Sequence, residues 1–420
     1  MNTFNQYRWL KIALINFCVV ALVGVTMRYK NIYPLAVLDQ KSLMHGHSHF
    51  AFVGWVAMAL MTIMVIVLKV NKVSANYKKY NYLLLSELIN AYAMLISFII
   101  EGYGVWSIIF STVTILLSYI FIYYYLRDLR LLKALPLTKI WLKAAMALWA
   151  VSSLGAFGLA YLMMTHNKIQ DLYFMSIYLF LHFQYNGWFL FACFGLFMAG
   201  VEKQLHPKSL FYCKRLLLMM SITVAPTYFL SILWLHLPRF IIYLADTAGI
   251  IQLLVLVYFI PLVYRIGKDL CIIPGRTTKQ LWQLSCFAFI LKIVLQVFST
   301  VPYLNSFAFS VRPIVIGYLH LCFVGIISLF LLGIILPYIV KENERLQAAR
   351  FGLLLFLIGF LVQELLLLLQ GVEVMQGNIV RYAGQILLYA ALCMAIGLIW
   401  FTTQAKTNKS LFVKIRRKQE

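Results

Sequence analysis

The sequence predicts an all-α, polytopic transmembrane helix bundle of about twelve helices with both termini cytoplasmic. Three observations carry that expectation. Hydrophobic residues make up 63% of the 420, charged residues only 12%, and mean hydropathy is +0.87, far from the composition of a soluble domain. Apolar runs long enough to cross a hydrocarbon core of roughly 30 Å recur along nearly the whole chain. The basic residues cluster between alternate runs, as orientation in a membrane requires.

The runs lie near residues 9–27, 43–68, 81–101, 104–126, 140–164, 171–200, 216–236, 240–264, 280–302, 313–340, 350–371 and 381–402. They are continuous rather than alternating, and most are twice the length of a membrane strand, which excludes a β-barrel. With the N-terminus inside, 28 of the 36 basic residues fall in the tails and even-numbered loops and seven fall outside. The net charge of +23 therefore orients helices and needs no nucleic acid to explain it. Arg28 and Lys30 follow the first run where a small-residue cleavage site would stand, so that run reads as a retained helix. The longest connections leave no room for a soluble domain. Residues 1–402 form a single transmembrane domain, and residues 403–420 a basic cytoplasmic tail. The seven cysteines (Cys18, Cys193, Cys213, Cys271, Cys286, Cys322 and Cys393) form no CxxC pair and read as small packing residues. The two halves of the chain show no obvious repeat, which weighs against a transporter of inverted repeats.

Histidine is costly inside a bilayer, and its distribution here is one-sided. His45, His47 and His49 open the second run, and His182, His236 and His320 lie in the sixth, seventh and tenth. At about 1.5 Å per residue, His49 sits roughly 9 Å, His320 roughly 10 Å and His182 roughly 15 Å below the outer surface. His166 falls in an outer loop and His206 in an inner one. Within the second helix His45 and His49 share a face, while His47 is turned about 160–200° from either. The three therefore do not ligate one ion from a regular helix. A single membrane histidine often only bonds a neighbouring helix, and that reading suits His236 best. His49 and His320, matched in depth, suit an axial cofactor site, because imidazole is a common haem-iron ligand and also suits copper.

Other buried polar groups join them as candidates. Asp246, Lys292 and Glu364 stand inside apolar runs, where an ionisable side chain is a functional candidate. Asp246 and Lys292 lie at similar depth and are candidates for an ion pair or a proton relay. Tyr185, one turn after His182, is placed to donate a hydrogen bond at a metal-bound ligand. Arg28, Arg239, Arg312 and Arg381 lie on the outer side, where they are placed to pair with haem propionates.

Twelve helices with both ends inside, carrying outer histidines in helices two, six, seven and ten, resemble the catalytic subunit of the haem-copper oxidase and nitric oxide reductase superfamily. His182-Phe183-Gln184-Tyr185-Asn186-Gly187-Trp188 is similar to that family's sixth helix, and Gly317-Tyr318-Leu319-His320-Leu321-Cys322-Phe323-Val324-Gly325 to its tenth. The resemblance implies a haem held by His45 or His49 together with His320, and a second metal, copper, held by His182 with further histidines among His45, His47 and His236. Two departures stand out. Tyr318 occupies the place of the first histidine of the family's tenth-helix pair, and helix seven lacks paired histidines. Either the second haem site is missing or the extra histidines of helix two replace it. His47-Ser48-His49-Phe50-Ala51-Phe52-Val53-Gly54 also resembles the smaller NnrS-like membrane proteins, whose implied haem and copper content is associated with nitric oxide stress.

The resulting expectation is a haem-binding protein, with copper as a second metal, of the bacterial cytoplasmic (inner) membrane. It acts on or senses O2 or NO, as an oxidoreductase or as a sensor. Its partners are the lipid bilayer, a small gas ligand and an electron donor or other subunits of a respiratory complex. The alternative from a different class is a secondary transporter or metal permease with an outer-facing histidine site. A non-catalytic partner of a respiratory complex is a third.

Overall fold

A computed structural model describes residues 4–235, 237–269, 275–301, 304–305, 309–340 and 343–405. His236, Cys271 and most of the basic tail lie outside them. Within the described residues the chain is helical, without a strand. The helices are α1 (Gln6–Lys30), α2 (Gln40–Val70), α3 (Tyr77–Glu101), α4 (Val105–Leu129), α5 (Pro136–Met164), α6 (170–201) and α7 (Pro207–Thr223, then a 3-10 turn Pro226–Ile232). The second half contains α8 (Arg239–Asp269), α9 (Arg276–Phe298), α10 (Arg312–Ile339), α11 (Asn343–Met375) and α12 (Ala383–Thr403). Ten of these are long and apolar enough to cross a membrane, and the two parts of α7 make an eleventh path bent by 52°. The bend falls at Pro226, which has no N–H to continue the helix. The remaining helix, α6, is helical throughout but carries Gln184 and Asn186 at its centre, which lowers its hydropathy, and it is not among the helices apolar enough to cross. The fold is a polytopic helical bundle, as the sequence predicts.

Three helices form the centre. In the most apolar stretch of α2, 83% of residues are buried, and in α10 72%, against 22% for the peripheral α4. In α6 the residues from His182 to Cys193 are buried without interruption. Each of the three changes from α-helix to a π-helical segment just after its histidine: Ala51–Ala57, Phe183–Phe189 and Leu321–Ser328. Segments of this kind are rare and concentrate at functional sites. One spacing recurs in all three: His49, Phe52, Gly54; His182, Tyr185, Gly187; His320, Phe323, Gly325. The spacing thus recurs on every fourth helix, a period that comparing halves does not reveal.

A π turn leaves carbonyls outside the usual ladder, and in hydrocarbon each must find a donor. Asn16 of α1 donates to the Gly54 carbonyl at 2.7 Å and is itself fixed by the Tyr92 hydroxyl at 3.0 Å. Ser285 of α9 donates to the Ile326 carbonyl and Ser328 to that of Phe323, both at 2.7 Å. Ser328 also accepts from the Trp55 indole at 2.9 Å, tying α2 to α10. Between the segments the rings of Phe52, Phe189 and Phe323 meet at 4.6–6.1 Å. Trp55 stacks on Phe17 at 4.3 Å, and Trp188 stacks on Trp149 at 4.2 Å. The indole after the glycine therefore packs on the preceding helix in two of the three cases.

The ring of helices closes where α1 packs against α12. The tightest pair, α11 with α12, depends on small residues, as membrane helix contacts commonly do. A Cβ on Gly397 would lie 2.5 Å from both the Gly352 carbonyl oxygen and the Phe356 nitrogen. Gly397→Ala is therefore expected to force the pair apart at about 1–3 kcal/mol and to lower the thermal midpoint. Gly200→Ala, with nothing within 4 Å, serves as the control. Equal midpoints for the two variants would show that α11 and α12 do not pack this closely.

Candidate functional site

The start of α2 fixes where its histidines point. Asp39 accepts a hydrogen bond from the Ser42 N–H at 2.7 Å, capping the helix and setting its rotation before the first histidine. That bond also holds the Asp39 carboxyl below its ordinary pKa. From there the histidines divide between two faces, as their spacing predicts. His45 and His49 face the end of α3: His49 lies flat on Phe98 at 4.4 Å, and the His45 ring is 4.6 Å from that of Tyr103. His47 faces α1 on the other side. Its Cε1 would touch a Cβ on Gly24 at 3.3 Å, so the absent side chain there is what admits the imidazole.

His320 approaches the same side as His47. Its Nδ1–H donates to the Ile316 carbonyl at 3.0 Å, which fixes the tautomer and leaves the Nε2 lone pair unused. His47 lies within electrostatic reach of His320, and Arg28 within reach of both. Glu364 and Arg312 complete the group around Arg28. The Nδ1 of His47 and the Oε1 of Glu364 are buried without a hydrogen-bond partner. A Cβ on Gly317 would lie 3.6 Å from Leu367 and 3.8 Å from Glu364 Oε2, which places this backbone beside the carboxylate. Around the group the helices pack loosely: α10 has no buried residue between Arg312 and His320, and the buried residues of α1 stop at Val20. The histidine that the structure brings to His320 is thus His47, whereas His45 and His49 are turned away.

His182 is differently placed. Its Nε2–H donates to the Val224 carbonyl at 2.6 Å, and its Nδ1 accepts from Asn186 at 3.1 Å. Both nitrogens are engaged, and neither has a lone pair left for a metal. Its one-turn partner is Asn186 rather than Tyr185, which turns toward Tyr318 and Phe323 instead, with ring centroids at 6.4 and 5.7 Å. Lys292 is buried beside a cavity of about 20 Å³ that Asn186, Thr223, Thr227 and Gln252 also line, room for about one water.

Asp246 forms no ion pair with Lys292, and its Oδ1 is buried without a partner. The reason is angular. Gln252 of α8 shares the Lys292 cavity, and Asp246, six residues earlier, points about 120° away from it at ~100° per residue. Arg239 and Arg381 are exposed at helix ends, apart from the Arg28 group. Among the described residues no three His, Cys, Asp or Glu side chains converge as a metal site. Another cavity, about 150 Å³, has no histidine in its lining. It is lined by apolar side chains such as Trp141, Phe259 and Phe289, with Cys193, Cys213 and Cys286 among them.

A haem-copper terminal oxidase, solved by cryo-EM as a dimer, superimposes with a TM-score of 0.67 over 97% of this chain and 86% of its own, at 12% identity. The chain has the haem-copper oxidase fold. No protein-family profile and no curated protein matches the sequence, so the likeness is one of architecture. In this oxidase-like fold α2, α6 and α10 are the central helices, and His45, His47, His49, His182 and His320 stand on them.

Sequence reasoning passed over Gly24, Gly317 and Asn186. The first two mark close approaches that only tertiary packing creates. Asn186 was legible, being four residues after His182 and therefore on its face.

Two outcomes follow. His182→Leu leaves the Val224 carbonyl only the longer bond from the Thr227 hydroxyl at 3.3 Å and strands the Asn186 amide, and the unpaired amide alone costs about 1–3 kcal/mol. Thermal unfolding should show the loss, and a midpoint equal to wild type would refute this account of His182. The Asp39 cap acts in the direction of its lowered pKa: its contribution is full above the ordinary carboxylate range and disappears as pH falls through the folded-state value. The stability difference between wild type and Asp39→Ala should therefore shrink below about pH 4. A difference that is constant with pH would rule out the charged cap.

Proposed function

We propose that this chain is a haem-binding integral membrane protein with an oxidase-like architecture, holding its haem between α2 and α10 through His47 and His320. The observation that carries this reading is the pair of imidazoles, which lie within electrostatic reach of one another at loosely packed helix ends. Each has a ring nitrogen that no protein group uses. A single backbone bond on the opposite nitrogen, as at His320, is how proteins orient a ligating histidine and raise its basicity. Arg28 and Arg312 supply fixed cations for the propionates, and Glu364 offsets part of their charge. Gly24 keeps a side chain out of the way of His47.

Haem bound there would supply an iron centre for one-electron transfer or for diatomic gas chemistry. The protein's part is to position the two imidazoles, to hold the propionate charges, and to exclude water with the apolar π segments beneath. Tyr318, Tyr185, Cys322 and Lys292 occupy the region beside α6 as a polar network without free histidine ligands. The reading therefore has one haem between α2 and α10 and assigns no copper to His182. A haem held by both histidines would suit electron transfer, and sensing of NO or O2 would require one histidine to give way to the gas, in the bacterial inner membrane beside an electron donor or other respiratory subunits.

Purified protein should show a Soret band and a pyridine haemochrome signal, and both should be lost in His47→Ala and in His320→Ala. His49→Phe, which preserves the stack on Phe98, should retain them. A colourless wild-type protein would overturn the proposal. Loss of haem in His49→Phe with retention in His47→Ala would move the ligand to the other face of α2.

A further inference from the structure

The second face of α2 is chemically complete enough to bind something of its own. His45 and His49 stand one helical turn apart with their rings together on the α3 side, and neither nitrogen pair is consumed by the fold. His45 Nε2 is buried without a hydrogen-bond partner. His49 is held by stacking alone, its plane 16° from that of Phe98 at 4.4 Å. Stacking uses the face of an imidazole and leaves both nitrogens free at its edge. The Tyr103 ring lies 4.6 Å from His45 and 6.4 Å from His49, which brings a third polar group to the same mouth. The loop that carries Tyr103 is seated on the start of α2, where a Cβ on Gly102 would lie 3.1 Å from Ser42 Oγ.

We infer that His45 and His49 form a chelating site for a single borderline divalent cation, Zn²⁺ or Cu²⁺, separate from the His47–His320 site. Two histidines at i and i+4 on one helix face are a standard pair for such ions, and neutral imidazole suits both. Solvent completes the coordination, with the Tyr103 phenol at its edge. Phe98 acts as a positioning residue, because it sets the plane of His49 before any ion arrives. Lys41 lies within electrostatic reach of His45 and Asp39 opposes it, so the local charge is close to balanced and the nitrogens carry the binding.

The test is titration of the detergent-purified full-length protein with Zn²⁺ by calorimetry, and with Cu²⁺ by EPR for nitrogen hyperfine structure. Wild type should bind one equivalent, with two nitrogens coupled to Cu²⁺. His45→Phe and His49→Phe keep the aromatic packing and remove the nitrogens. Each should weaken binding by at least about tenfold, since losing even an outer-shell partner of a metal commonly costs about 10–100-fold. His47→Ala should bind the ion as wild type does, whatever its haem content, so failure of this site and failure of the haem site are read separately. Absence of a stoichiometric site in wild type, or unchanged affinity in both phenylalanine variants, would overturn the inference.

Discussion

The hydrogen bond from Asn16 to the Gly54 carbonyl is the kind of interaction on which this structure depends. A π segment at the centre of a membrane bundle leaves carbonyls without helical partners, and no water is there to take them. The chain answers with buried side chains brought from neighbouring helices: Asn16 from α1 and Ser285 from α9, with Ser328 within α10 itself. Without these donors the π segments of α2 and α10 would hold unpaired carbonyls and lose their support. The aromatic contacts among Phe52, Phe189 and Phe323 would then lose their register.

The three repeated histidines show how little of a residue's chemistry lies in its identity. His182 is a structural strut because Val224 and Asn186 occupy both of its nitrogens. His320 keeps one nitrogen free because only Ile316 is within its reach. His49 is fixed through its ring face by Phe98 and bonds to nothing. Equivalent positions on one scaffold thus carry three different capacities, and the neighbours decide which. Burial alone would not have separated them.

Most of the fold was legible in the sequence, because apolar run length and charge alternation respond to the bilayer directly. The division of the second-helix histidines was legible too, since alternate residues fall on opposite faces of any helix. Which face meets α10 was not. That choice depends on the rotation of one helix against another, set here by the Asp39 cap, the Gly24 gap and the π segment, none of which has a strong local signature. The Asp246–Lys292 pair failed for the same reason: equal depth was visible, whereas azimuth was not. The recurrence on every fourth helix was present in the spacing of histidine, aromatic and glycine, but comparison of halves looks for the wrong period.

The π segments also make the bundle unusually sensitive to length. Each holds more residues in a turn than the helix around it, so it acts as a local phase offset between the two ends of its helix. Removing a single residue from 51–57 would let α2 run as a regular helix, and its outer end would swing by about 100°. His47 would then leave the side of α10, and a different pair of rings would arrive there. The outer third of the bundle is in this sense indexed to its centre by single residues, and the arrangement of the histidines is stored in the count of residues below them as much as in the histidines themselves.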